Sequence, residues 1–227
     1  MQVLLVHSPL LGRSSWGGVP DCLAELGYAV AVPDLRPVLD SGPPFYERLF
    51  VAIAELADED EAVAVVGHSR AGPLLPGALA TIGSNGATAV FLDARLPHDG
   101  HSWLETLTAD RRAALLASVE NGYLPPWDRW FPEGIAALLP DEAVRQRFLD
   151  ELRGLPAALL SEPMPQSPWD DRIGKAYVQL SAAYAAVADE ARAAGWPVTR
   201  YPMDHLAPLT RPRAVADAIA DSLTPTA

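Results

Sequence analysis

Residues 62–82 read AVAVVGHSRAGPLLPGALATI: a short apolar run, a glycine-rich turn carrying Ser69, then small residues of helical character. Residues 62–66 are valine-rich, the pattern of a strand buried on both faces, as parallel strands between helix layers are. Gly67 and Ala71 stand two residues either side of Ser69. Larger side chains there would collide if a strand reversed directly into a helix around a strained middle residue. Such a turn lifts the hydroxyl clear of the backbone and sets it at a helix N-terminus, where unpaired N–H groups and the helix dipole stabilise an oxyanion. Pro73 falls in the first turn, where a missing N–H costs little, whereas Pro76 is expected to kink or irregularly wind the helix. Ser69 is therefore the candidate nucleophile, against the alternative of an ordinary strand-to-helix turn.

The same rhythm extends in both directions. Towards the N-terminus, residues 3–6 form an apolar strand ended by His7-Ser8-Pro9, 16–27 read as a helix, and 28–33 as a second strand ending in Asp34. Ser41 is expected to cap a helix from about Pro43 to Ala57, with Phe45, Leu49, Ile53 and Leu56 on one face. Beyond the serine, residues 87–92 form a strand that ends at Asp93. The alternation then stops over 98–173, a proline-rich stretch with helical segments at 109–121 and 141–153 and with Trp103, Trp127, Trp130 and Trp169. These tryptophans either pack the stretch onto the sheet or line an apolar cleft over the serine. The alternation resumes with a strand at 176–180, a helix at 182–194, a strand at 198–201, and a final helix capped by Thr210 with Pro212 in its first turn. Strands alternating with helices predict an α/β fold around a mainly parallel sheet of about six strands, helices on both faces. The core comprises 1–97 and 174–227, and 98–173 is a helical insert.

At 227 residues the chain suits one sizeable domain, and 49% hydrophobic with 20% charged residues is an ordinary globular composition. A net charge of −12 argues against nucleic acid or an anionic membrane as partner. The one cysteine, Cys22, excludes an internal disulfide and fits a reducing compartment. MQVLLVHSP has neither the basic flank nor the long apolar run of a signal peptide or membrane anchor, so the expected location is cytoplasmic. The single cysteine also gives no metal cluster. The expected partner is a small-molecule substrate, and a homodimer stays open.

A serine hydroxyl is a poor nucleophile until a base takes its proton, and the base works best when a third group fixes its tautomer. His205, in MDHLAPL beyond the last strand, is the leading base. His7, His68, His98 and His101 are weaker, the first two lying in turns after strands and the others at the start of the insert. The segment after the penultimate strand, VQLSAAYA, holds no carboxylate before Asp189. Asp93 at its strand end and Asp204, beside His205, are the remaining acids considered, and neighbouring side chains such as Asp204 and His205 rarely meet usefully. Arg70 either meets a substrate carboxylate, phenolate or enolate, or pairs with a structural acid. Arg95 has the same ambiguity.

The strings VLLVHSPLLGRSSW, VVGHSRAG, FLDARLPHDGHSW and MDHLAPLTRP together resemble the α/β-hydrolase superfamily, in its branch of small esterases and hydroxynitrile lyases. The resemblance implies an α/β-hydrolase fold with a short helical cap, a trimmed sheet, no cofactor, and a site of Ser69, His205 and Asp93. Asp93 matches an alternative acid position used by some members. It also implies oxyanion donors from the N–H of Arg70 and from the loop at Ser8, Pro9 and Leu10. Where the third position of that loop is the donor, it is here Pro9, which has no N–H, so the hole borrows from Leu10 or the Ser8 hydroxyl, or it is half-built. Three functions follow as expectations: a serine hydrolase of a small, fairly apolar ester, lactone or thioester; a lyase or cyclase of secondary metabolism using Ser69 and His205 for proton transfer; or a ligand-binding module without catalysis.

Overall fold

The computed structural model describes residues 1–130, 132–167, 169–170 and 172–224. Its strands are β1 (Gln2–Val6), β2 (Ala29–Ala31), β3 (Val63–His68), β4 (Gly86–Leu92), β5 (Tyr123–Leu124), β6 (Leu155–Pro156), β7 (Gly174–Gln179) and β8 (Val198–Arg200). Six form one parallel sheet in the order β2-β1-β3-β4-β7-β8, while β5 and β6 pair antiparallel with each other. Helices α1 (Val19–Glu25), α2 (Arg36–Asp40), α3 (Tyr46–Ala54) and α4 (Leu75–Ile82) connect the first four strands. Between β4 and β7 lie α5 (Ala109–Ala117), α6 (Pro132–Leu138), α7 (Glu142–Glu151) and α8 (Ala157–Ser161), and α9 (Ala185–Ala193), α10 (Ala207–Thr210) and α11 (Pro212–Leu223) complete the fold.

Successive strand residues face opposite sides of a sheet, and the core divides accordingly. Leu4, Val6, Val65, Phe91 and Tyr177 pack on one face with Leu49, Ile53, Leu75 and Leu79 of α3 and α4. Val3, Leu5, Val66, Val90 and Val178 pack on the other with Val19 and Leu23 of α1 and Val215 and Ile219 of α11. Each such fully buried side chain contributes about 1.5–3 kcal/mol relative to exposure. Phe148, Leu159 and Leu160 of the insert belong to the first cluster, and none of the described insert residues belongs to the second.

Strand register sets the functional geometry. His68, the last residue of β3, pairs with Leu92, the last of β4, and Leu92 pairs with Val178 of β7. The residues that follow, Ser69, Asp93 and the Leu180–Ser181 turn, therefore emerge side by side at the carboxyl ends of the strands, where parallel α/β sheets bind ligands. Among the described residues no helix is long and apolar enough to cross a membrane.

Several local expectations are corrected. The helix read over 16–27 is a 3₁₀ turn, Arg13–Trp16, followed by α1. The break falls at Gly17, whose φ of +50 and close approach to the Pro208 carbonyl leave no room for a side chain. The strand read over 28–33 shrinks to the three residues of edge strand β2. Ser41 does not open a helix; it closes the unforeseen α2, its hydroxyl donating to the Val38 carbonyl. The next helix, α3, starts at Tyr46 and excludes Leu56, which is 42% exposed. Pro76 makes no kink, because residues 69–74 wind as a 3₁₀ helix and Pro76 falls in the first turn of α4. The helix expected over 109–121 ends at Ala117, and Asn121 and Gly122, both at positive φ, turn the chain into β5. Thr210 belongs to α10, and α11 begins without a side-chain cap.

The cap of α3 comes instead from the insert. The Glu162 carboxylate accepts the Phe45 and Tyr46 N–H groups at 2.8–2.9 Å, satisfying two donors that a helix start leaves open. Glu162→Ala is expected to destabilise the protein by about 1–2 kcal/mol, the usual loss for a helix cap. Urea unfolding of the variant checks this.

Candidate active site

Ser69 occupies the left-handed region, at φ +59, between β3 and its 3₁₀ helix. Two neighbours explain how the sequence permits this. A side chain at Gly67 would lie 2.9 Å from the Leu75 side chain and 3.1 Å from the Ala71 backbone, and one at Gly72 would lie 2.1 Å from the Arg95 carbonyl oxygen. Ala71, fully buried, shows that a methyl group fits where a second glycine is commoner.

Ser69, His205 and Asp93 meet in one hydrogen-bonded line. His205 Nδ1 lies 2.7 Å from Asp93 Oδ2, and His205 Nε2 lies 3.0 Å from Ser69 Oγ. A carboxylate only accepts, so Nδ1–H donates to Asp93, and Nε2 is left to accept the serine O–H. Asp93 is itself at positive φ, +44, and fully buried. Its Oδ1 accepts the N–H groups of Leu180 and Ser181, each at 2.9 Å, and its Oδ2 accepts the Ser181 hydroxyl at 2.6 Å. Burial works to raise the pKa of this carboxyl, but His205, through its hydrogen bond and charge, and Ser181 together outweigh it. The net displacement is downward, keeping Asp93 ionised.

Two other histidines are structural. His7 Nδ1–H donates to the Ser8 carbonyl and Nε2 accepts the Leu35 N–H, a pairing that only the neutral ring can make. Its 3.9 Å approach to Asp34 is therefore not an ion pair. His68 donates from Nε2 to the His205 carbonyl at 3.0 Å and packs against the His205 ring at 4.5 Å. Burial, then the neighbouring His205, lower its pKa to about 3. His98 and His101 lie in the insert, where His98 Nδ1 donates to the His101 carbonyl.

A cavity of about 430 Å³ opens over Ser69 and His205, lined in part by Leu10, Trp103, Trp127, Trp130, Ile135 and Tyr184. Trp103, Trp127 and Trp130 thus take the second of the two places considered for them, whereas Trp169 packs on Phe91 and Trp196 at about 6 Å. Arg70 and Arg95 also line this cavity. The Arg70 guanidinium lies 3.6 Å from the Trp103 ring centre, and Arg95 lies 5.3 Å from that of Tyr184. Asp204 does not join the line; its carboxylate accepts the Leu206 N–H and so shapes the loop that carries His205.

The loop after β1 is built differently from expectation. The Leu10 N–H is turned onto the Ser8 hydroxyl at 3.2 Å, and Ser8 is fully buried and does not line the cavity. Pro9 lines a smaller neighbouring pocket together with Tyr46, Arg70 and Trp103. The residue that sequence reading missed is Tyr184. Its hydroxyl lies 3.3 Å from Ser69 Oγ, and its ring stacks on His205 with centroids 5.0 Å apart and planes 9° off parallel. The signal lay in VQLSAAYA, where an acid was sought: that turn instead holds Asp93 through Leu180 and Ser181 and then delivers Tyr184.

A parallel sheet with serine on a strained strand-to-helix turn, and histidine and aspartate from later strand ends, defines the α/β-hydrolase class. The chain belongs to the alpha/beta hydrolase family, whose sequence model matches residues 3–218. No curated protein matches it. Among solved structures it is similar to an extracellular α/β-hydrolase from a Paenibacillus species described as homologous in structure and function to tobacco salicylic acid binding protein 2. That match has 17% identity, a TM-score of 0.73 and 98% coverage of both chains. A pyrethroid hydrolase from Sphingobium faniae matches at 19% identity, TM-score 0.71, covering 97% of this chain and 96% of that one. Tomato methylketone synthase I matches at 17% identity, TM-score 0.68, with the same coverages. At these identities the likeness is one of fold.

The buried, neutral His68 makes stability depend on pH. The unfolded chain protonates this residue near the ordinary histidine value of 6.5, and the folded chain only near 3. Its contribution is therefore complete above 6.5 and is lost as pH falls towards 3, by at most about 1.4 kcal/mol per pH unit. His68→Gln is expected to flatten this part of the acid slope when urea unfolding is followed from pH 7 to pH 4.

Proposed function

We propose that the protein is a serine-dependent hydrolase of a small, fairly apolar ester, lactone or thioester, with Ser69 as nucleophile, His205 as base and Asp93 as the group that orients His205. The observation that carries this is the Ser69–His205–Asp93 line at 3.0 and 2.7 Å, beneath an apolar cavity. His205 Nε2 takes the serine proton as Oγ attacks the carbonyl, and the ionised Asp93 stabilises the resulting imidazolium. The imidazolium then protonates the leaving group. Water, deprotonated by the same nitrogen, cleaves the acyl-enzyme and frees Ser69.

The developing oxyanion needs donors. The Arg70 N–H is one, in the first turn of the 3₁₀ helix. Pro9 has none, and the Leu10 N–H is committed to Ser8. The Tyr184 hydroxyl, 3.3 Å from Ser69 Oγ, is the second donor in this reading. Tyr184→Phe is expected to lower kcat about 10²-fold with little change in KM, as loss of one oxyanion donor does.

A second reading, proton-transfer catalysis by a lyase or cyclase without an acyl-enzyme, is favoured by one observation: Pro9 stands where acyl transfer wants an N–H. Rapid mixing with a short-chain aryl ester separates the two. A burst followed by turnover, reduced about 10³-fold or more in Ser69→Ala, is the expected result for the hydrolase. Absence of any Ser69-dependent signal with aryl esters of several chain lengths would move the assignment to proton transfer. The intact hydrogen-bonded line counts against a binding module without catalysis.

A further inference from the structure

Arg70 and Arg95 are the two arginines among the described residues that line the cavity over Ser69. Arg36, Arg172, Arg200 and Arg213 each pair with a carboxylate. Arg70 forms no hydrogen bond or ion pair with any described residue through its guanidinium, and neither does Arg95. None of the described residues lining the cavity is Asp or Glu. In a chain with 29 acidic and 17 basic residues, two cations facing one space without an acid are an exception to the composition.

Arg70 is also costly where it stands. It is half-buried, and burial, then the charge of Arg95, lower its pKa to about 9. The Trp103 face returns part of that cost, since a cation over an indole ring gains about 0.5–2 kcal/mol. The guanidinium carbon lies over the Trp103 face, and its N–H donors have no acceptor among the described residues, so they are available to a planar acceptor. A carboxylate satisfies such a fork with two parallel hydrogen bonds, strengthened because the surroundings are largely apolar. Ser69 and Arg70 are adjacent in sequence and share the cavity, so a group held by Arg70 sits close to the reacting carbonyl.

We propose that Arg70 and Arg95 form a carboxylate-binding subsite, so that the substrate is an ester, lactone or thioester carrying a carboxylate besides its scissile group. This deepens the hydrolase reading and rests on it for the reaction, but the subsite itself is a binding property. An apolar chain or ring lies against Trp127, Trp130 and Ile135, the carboxylate against the two guanidinium groups, and the scissile carbonyl over Ser69. The subsite also gives an anion somewhere to bind on a protein whose overall charge repels it.

The test reads binding, not turnover. Ser69→Ala protein is titrated calorimetrically with 4-phenylbutyrate and with its neutral isostere 4-phenylbutanamide. The carboxylate is expected to bind at least about tenfold more tightly, the equivalent of one charge-assisted hydrogen bond. Adding Arg70→Met should bring the two affinities within about twofold, and Arg70→Lys should restore part of the difference. Arg95→Met is a second variant that leaves the Trp103 stack in place and should reduce the preference on its own, with circular dichroism reporting the fold of each. Equal or absent binding of the two probes, or a preference that survives both methionine variants, overturns the proposal. Tighter binding of phenyl phosphate than of 4-phenylbutyrate overturns the assignment of a carboxylate. A carboxylate preference in protein that hydrolyses no ester would support the subsite and count against the hydrolase reading alone.

Discussion

The Asp93 carboxylate is the constraint on which the rest of the site depends. It is fully buried, and such a charge is tolerable only when its lone pairs are filled. Four donors fill them: two backbone N–H groups and a hydroxyl from the end of β7, and the imidazole of His205. One side chain thereby fastens the ends of β4 and β7 to the loop that carries His205. The arrangement accounts for an acid on β4. Leu180 and Ser181 present their donors towards the neighbouring strand end, so the carboxylate belongs where those donors point. His205 is then fixed at both of its nitrogens, and Ser69 meets it because β3 and β4 end in register.

The parts of this fold that were legible in the sequence are those whose cause is local. The buried stretches of β1, β3, β4 and β7 lie between helix layers, so they read as short, mainly apolar runs. The tight turn at Ser69 shows in the small residues around it, and His205 and Asp93 show as polar residues at the ends of such runs. What was not legible depends on partners far along the chain. Glu162 caps a helix that begins 116 residues earlier, which leaves α3 without a recognisable start of its own. The break at Gly17 answers to the Pro208 carbonyl, and Thr210 lost its expected role because α10 intervenes. Tyr184 escaped notice because a tyrosine in a small-residue turn reads as packing until the turn is known to pass beside Ser69.

The insert and the sheet divide the work of recognition. The carboxyl ends of the central strands supply Ser69 and Asp93, which are polar. The insert supplies Trp103, Trp127 and Trp130, which are large, stiff and mostly apolar. Arg70 joins the two layers, since its backbone belongs to the turn at Ser69 and its side chain rests on an insert tryptophan. A change in how the insert packs would therefore be felt one residue from Ser69. Glu151 and Glu162 restrain such changes by fastening the insert to the backbone of the core at Ser14 and at Phe45 and Tyr46.

The surroundings of the His205 ring bear on the order of events in the cavity. Tyr184 stacks on it, 9° off parallel, and His68 packs against it at 32°, so two rings as well as two hydrogen bonds hold the imidazole. A ring held in this way does not swing from one partner to the next. In the hydrolysis proposed above, both partners of its second nitrogen, the departing alcohol or thiol and the arriving water, must come to a single point in space. They cannot share it, so the first must drain from the cavity before the second takes its place. Traffic past the tryptophan walls then becomes part of the chemistry, and the shape of the cavity bears on speed as much as on choice of substrate.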